Sequence, residues 1–166
     1  SDYIAVNISS PNTKDLRELS NNELLDLLLK KIKSKQKILA SLFGYKPILV
    51  KISPDESFDD LKIICNSVMN SELDGIICSN TTISHENKNG PGGLSGAPLK
   101  DKAKSCLIFV KSLVGERLTV IASGGVMSVA DYQERIYAGA DLVQVYTGFI
   151  YEGPKLIQDI VNLNTN

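Results

Sequence analysis

Short apolar runs rich in β-branched residues alternate along the whole chain with longer stretches in which leucine and isoleucine recur at helical spacing. Ile4-Ala5-Val6-Asn7-Ile8, Pro47-Ile48-Leu49-Val50-Lys51-Ile52 and Gly75-Ile76-Ile77-Cys78 read as strands. So do Leu118-Thr119-Val120-Ile121-Ala122 and Leu142-Val143-Gln144-Val145-Tyr146. Each run is continuous rather than alternating, the pattern of parallel strands covered on both faces. Between them, Leu24, Leu25, Leu27, Leu28 and Ile32 predict one helix, and Leu61, Ile63, Ile64 and Val68 a second. Three more are predicted over Ala103 to Leu113, Val129 to Ala138 and Pro154 to Leu163. Ser20 or Asn22 suits the N-cap of the first helix, Ser128 with Asp131 resembles a capping box at the fourth, and Gly139 is its C-terminal stop.

A strand-helix unit repeated five times argues for a parallel sheet with right-handed crossovers. Over 166 residues each unit takes about 33, so eight would need about 265, close to the ~250 of a complete (β/α)8 barrel. An open doubly wound sheet is the alternative, and both architectures place their chemistry at the carboxyl ends of the strands.

Composition narrows the function classes. Eighteen Lys+Arg against 19 Asp+Glu leave a formal net charge of −1, which offers no footprint for nucleic acid. The run Lys30-Lys31-Ile32-Lys33-Ser34-Lys35-Gln36-Lys37 fits the solvated outer face of a helix. Cys65, Cys78 and Cys106 have no metal-ligand spacing, and the single histidine is His85, so no metal site is expected and a reducing compartment is. No signal peptide and no membrane-length apolar stretch is visible.

The polar residues cluster where strands end. Lys51 interrupts an apolar strand, where an unpaired ammonium is costly unless an anion or anionic cofactor lies nearby or the side chain snorkels to solvent. Ser79-Asn80-Thr81-Thr82 offers hydrogen-bonding groups to a planar polar ligand, and Cys78 before it suits a buried, inert thiol. The long polar segment from Ser84 to Leu99 carries His85 and the glycines around Gly93 and has the length of a binding loop. The last two strands run into Ser123-Gly124-Gly125 and Tyr146-Thr147-Gly148. Glycine lets backbone N–H groups approach phosphate, and in barrels the recurrent phosphate site follows strands seven and eight. On that reading the chain holds strands four to eight.

Six stretches in order, Val6-Asn7-Ile8-Ser9-Ser10-Pro11-Asn12-Thr13, Val50-Lys51-Ile52-Ser53-Pro54-Asp55, Ser79-Asn80-Thr81-Thr82, Gly92-Gly93-Leu94-Ser95-Gly96, Ser123-Gly124-Gly125 and Gln144-Val145-Tyr146-Thr147-Gly148-Phe149, resemble the dihydroorotate dehydrogenases over essentially the whole chain. Ser10 stands where the first class of that family carries cysteine, so the chain resembles the second, quinone-reducing class. The resemblance implies FMN and the oxidation of dihydroorotate to orotate in pyrimidine biosynthesis, with a quinone as acceptor. It assigns Ser10 to removal of the C5 proton, with Thr13 aiding the proton's onward relay. Asn7, Asn12, Asn80 and Thr81 are implied for the substrate. Asn7, Lys51, Ser79, Gly96, Ser123, Gly124, Gly125, Tyr146 and Thr147 are implied for the cofactor, with Lys51 at the flavin's N1/O2 edge.

The same resemblance implies that 1–166 is the C-terminal part of one FMN-binding barrel domain. The first strands and the membrane-docking helices of the family lie outside it. It further implies peripheral attachment to the inner face of the cytoplasmic or mitochondrial inner membrane through a segment not present here. Two alternatives stay open: a different phosphate-binding barrel enzyme, and an inactive fragment or subunit whose remaining strands come from a partner chain.

Overall fold

The computed structural model describes residues 1–9, 22–84 and 92–163. Among them, strands β1 (Ile4–Asn7), β2 (Ile48–Ile52), β3 (Gly75–Cys78), β4 (Thr119–Ser123) and β5 (Leu142–Gln144) form one sheet. All four pairings are parallel and the spatial order is the chain order. The helices are α1 (Asn22–Phe43), α2 (Phe58–Asn70), α3 (Lys100–Val114), α4 (Val129–Tyr137), α5 (Thr147–Glu152) and α6 (Pro154–Leu163).

The expected elements are all present, and they differ at their ends. α1 runs on to Phe43, through the basic stretch, whose lysines 30, 31, 35 and 37 are exposed. β5 stops at Gln144 because Tyr146 already opens α5, a six-residue helix too short to show a 3.6-residue period in sequence. The Ser128 hydroxyl accepts from the Asp131 N–H at 3.2 Å, as the capping signature predicts. Ser57 makes the same bond to the Asp60 N–H at 3.1 Å and starts α2. Ser20, the other candidate cap of α1, lies outside the described residues.

Alternation along the strands decides between barrel and doubly wound sheet. Val50, Ile52, Ile76, Cys78, Val120 and Ala122 point to one face and join the core residues of α1, α2 and α3, among them Leu25, Leu29, Leu61, Val68, Leu107 and Val110. Leu49, Ile77 and Ile121 point to the opposite face and form a small separate cluster covered by Tyr3. A doubly wound sheet needs helices on both faces; here that packing is on one.

The helix-free face is concave. The Gln144 Nε2 of β5 donates to the Tyr3 hydroxyl beside β1 at 2.7 Å, although four strand spacings would hold those edges roughly 19 Å apart in a flat sheet. The chain is therefore an arc of a (β/α)8 (TIM) barrel. Cover on both faces holds for β2 and β3 and fails for the two edge strands, where Ile4 is 46% and Leu142 54% exposed.

At the amino ends of the strands an aspartate one residue before a strand ties down the strand beside it. Asp74, before β3, accepts from the Ile48 N–H at 2.7 Å, and Asp141, before β5, accepts from the Val120 N–H at 2.7 Å. Asp74 also accepts from Gln36 Nε2 at 2.9 Å and from the Tyr45 hydroxyl, fastening α1 and its exit loop to β2. Asp74→Ala strands these donors and is expected to lower unfolding stability by about 2–4 kcal/mol. Urea titration of wild type and variant measures it, and a loss below about 0.5 kcal/mol contradicts the assignment.

Candidate functional site

At the opposite, carboxyl end of the sheet lies a cleft of about 230 Å³. Lys51 enters it from β2; Ser79, Asn80 and Thr81 follow β3; Ser123 ends β4 and Gly124, Gly125 and Val126 continue it. Gln144, Tyr146 and Thr147 come from β5 and the start of α5, and Ser95, Gly96 and Leu99 from the approach to α3. All the residues expected around a cofactor line this cleft except Asn7, so the structure gathers groups spread over nearly one hundred residues of sequence.

Strand alternation explains the gathering. Lys51, Ser123 and Gln144 point to the same concave face as Leu49, Ile77 and Ile121: Lys51 follows Leu49 and Ser123 follows Ile121 by two residues along their strands, and Gln144 pairs with Ser123. Lys51 is half-buried, and burial lowers its pKa from the usual lysine value. The Lys51 ammonium has no hydrogen bond or ion pair among the described residues. A cation left that way in a cleft suits an anion.

Asn7 sits beside Lys51 in the β1–β2 register and belongs to a second cluster at the cleft's margin. Asn80 Nδ2 donates to the Ser9 carbonyl at 3.1 Å and lies 3.3 Å from Asn7 Oδ1, while the Ser9 N–H donates to Asn7 Oδ1 at 3.2 Å. The Ser9 hydroxyl donates to the Lys51 carbonyl at 3.1 Å, and Asn80 Oδ1 accepts from the Thr81 N–H at 2.9 Å. Asn7 and Asn80 thus meet across three strands and hold the chain that leads into Ser10. Ser10, Asn12, Thr13 and His85 lie outside the described residues.

The turn after β4 requires its glycines. Gly124 and Gly125 have φ of +105° and +74°, in the left-handed region that disfavours side chains. A Cβ on Gly124 would stand 2.8 Å from Leu99 Cδ2, and one on Gly125 would strike the Lys100 backbone. The turn is therefore pressed against the entry to α3 with bare backbone facing the cleft.

Ser95 and Gln144 are cleft residues that the strand-end reading did not single out. Ser95 Oγ accepts from Thr147 Oγ1 at 2.9 Å, joining the approach to α3 to the start of α5. Gln144 carried the same signal as Lys51, a polar residue inside an apolar strand. Cys78 is buried, and burial, with the Cys106 thiol beside it, pushes its pKa well up, which suits an inert thiol. Among the described residues no group of three His, Cys, Asp or Glu side chains is placed to hold a metal, and no helix is long and apolar enough to cross a membrane.

Asp55, in the loop after β2, fastens the base of the long segment beyond Thr82. It accepts from Thr82 Oγ1 at 2.5 Å, from the Ile83 N–H at 2.8 Å and from the Lys102 ammonium. Burial raises its pKa, but the bonds from Lys102, Thr82 and Ile83 outweigh it and hold the carboxyl below the usual range. A depressed carboxyl contributes stability above its unfolded pKa near 4, and that contribution disappears as pH falls through the folded value. Asp55→Asn is thus expected to lower the melting temperature at neutral pH, with the gap to wild type closing below about pH 4. Melting curves across pH test this, and a gap that widens in acid contradicts it.

The family model described as dihydroorotate dehydrogenase matches residues 1–164. A curated relative named dihydroorotate dehydrogenase (quinone), from Aliivibrio salmonicida, is 48% identical over 96% of this chain and 50% of its own length. A relative of the same name from Vibrio parahaemolyticus is 45% identical over 96% of this chain and 49% of its own. The crystal structure of an Eimeria tenella DHODH in complex with ferulenol superposes with a TM-score of 0.90 at 33% identity, covering 98% of this chain and 48% of that one. The chain spans about half the length of the curated relatives it matches.

Proposed function

The chain belongs to the dihydroorotate dehydrogenase family, and on that premise we propose that it forms the cofactor-binding and much of the substrate-binding part of an FMN enzyme. That enzyme oxidises (S)-dihydroorotate to orotate. The substrate loses the C5 proton and the C6 hydride as the C5–C6 double bond forms, and a quinone is reduced to the quinol. The observation that carries the reading is the half-buried Lys51 ammonium, unpaired among the described residues, in a cleft that also holds the bare Gly124–Gly125 backbone.

Those residues fit FMN. The Gly124–Gly125 turn, with Ser123 and Thr147, suits the phosphate, because its glycines press against the entry to α3 and leave bare backbone along the cleft. Lys51 suits the edge of the ring that gains negative charge on reduction. Ser79, Gly96 and Tyr146 line the rest of the cleft. FMN supplies the two-electron acceptor when bound.

The chain's own residues then position the substrate. Asn80 and Asn7, held together through Ser9, present amide groups at the cleft margin with Thr81 beside them, and the family resemblance adds Asn12 to the substrate set. Hydrogen bonds from such groups to the planar carboxylate and amide edges hold the reacting carbon in near-attack geometry. Ser10 takes the C5 proton and Thr13 helps pass it on.

Further strands close the barrel along the edges of β1 and β5, where Ile4 and Leu142 stand about half exposed. Peripheral attachment at the inner face of the membrane belongs to a segment outside this chain.

The test is spectroscopic. The purified protein is expected to show the visible absorption of an oxidised flavin, which a phosphate-binding barrel isomerase or synthase would lack. Lys51→Met is expected to keep the flavin within about tenfold of wild-type affinity and to cut turnover about 10²-fold, by removing charge stabilisation at the reacting ring. A colourless protein that takes up no FMN contradicts the reading.

A further inference from the structure

Arg135 of α4 is the largest fully buried side chain among the described residues. Its Nη2 donates to the Lys100 carbonyl at 2.8 Å and to the Gly124 carbonyl at 3.3 Å. Its Nε and Nη1 have no hydrogen-bond partner among the described residues. The carboxylates nearest in sequence are engaged elsewhere: Asp131 and Glu134 pair with Lys100, and Glu134 also with Lys104. Burying a guanidinium with two idle donors is costly, and an apolar side chain of similar volume would fill the space without that cost.

The placement of the charge shows what it does. Arg135 bridges a carbonyl of the β4 turn and the carbonyl of the first residue of α3, the two segments that press together where Gly124 meets Leu99. Within a trans peptide unit the C=O and the N–H point in opposite directions, and the Gly124–Gly125 bond is trans. Drawing the Gly124 carbonyl inward to Arg135 therefore turns the Gly125 N–H outward, toward the cleft that Gly125 lines.

We propose that Arg135 is a positioning residue for an anion-binding turn: it holds the Gly124 carbonyl so that the Gly125 N–H faces, and binds, the phosphate monoester of the cofactor. The inference rests on the FMN reading for the identity of that monoester. Arg135 itself touches no ligand.

FMN and riboflavin differ only in the phosphate, so titration of the full chain with each, followed by flavin fluorescence, isolates the turn. Arg135→Met is expected to weaken FMN about tenfold or more and to leave riboflavin within twofold. Arg135→Lys, which keeps the charge but cannot bridge both carbonyls with one planar group, is expected to show a smaller, still FMN-selective loss; it decides the matter where the methionine variant fails to fold. Equal losses for both flavins, or no loss for FMN, overturn the proposal. Thermal protection by inorganic phosphate at constant ionic strength is read in parallel. Protection of wild type and not of Arg135→Met, with neither flavin bound, upholds the proposal and overturns the flavin reading. Absence of both flavin binding and phosphate protection in wild type overturns both.

Discussion

Ser10→Ala is expected to keep the flavin bound and to lower turnover by about 10²–10⁴-fold, the range that a positioned general base contributes. A serine hydroxyl is a very weak base, so its use depends on geometry and on a route onward for the proton. The described residues secure the geometry up to its threshold. Ser9 is buried, its N–H is held by Asn7, its carbonyl by Asn80 and its hydroxyl by the Lys51 carbonyl. The chain therefore enters Ser10 from a fixed point at the margin of the cleft. Rapid-mixing measurement of flavin reduction by dihydroorotate separates this step from quinone turnover. A reduction rate within threefold of wild type removes Ser10 from the mechanism.

The second large effect is expected at Gly125. A side chain there meets the Lys100 backbone in a left-handed conformation, so Gly125→Val combines strain with a clash that no rotamer relieves. Overpacking typically costs about 1–3 kcal/mol and left-handed backbone about 1–2, so the variant is expected to lose roughly 2–5 kcal/mol and its FMN together. Chemical denaturation and flavin content of the purified variant measure both. A stable variant with full flavin content contradicts the role given to the turn.

The two sides of the sheet differed in how much of them could be read in advance. The helix-facing side was legible because its residues obey two periods at once, two along β2 to β4 and 3.6 along α1 to α3. Lys51 was legible as a cleft residue because a charge inside an apolar strand needs a reason, and the strand ends located the glycine turns. The curvature of the sheet was not legible. It shows only in Gln144 reaching Tyr3, a contact between opposite ends of the chain that no local pattern encodes. Ser95 was hidden for the same reason, since its partner Thr147 stands on another loop. Arg135 was hidden because a basic residue late in an amphipathic helix normally lies on its wet face, and only packing shows this one to be buried.

The short helix α5 and the caps mark a further boundary. Ser57 and Ser128 carry the same local signature and cap their helices in the same way, because an N-cap is decided within four residues. α5 is set by the close approach of Gly148 to Val126 and Leu156, a tertiary constraint that its six residues do not announce.

On the proposed reading, this arc of barrel places a flavin against dihydroorotate. Anaerobic addition of dihydroorotate to the flavin-loaded full-length protein tests it most directly, with the visible flavin band as readout. Bleaching of the band with formation of one orotate per flavin is the result predicted. A flavin that stays oxidised in the presence of saturating dihydroorotate contradicts the account.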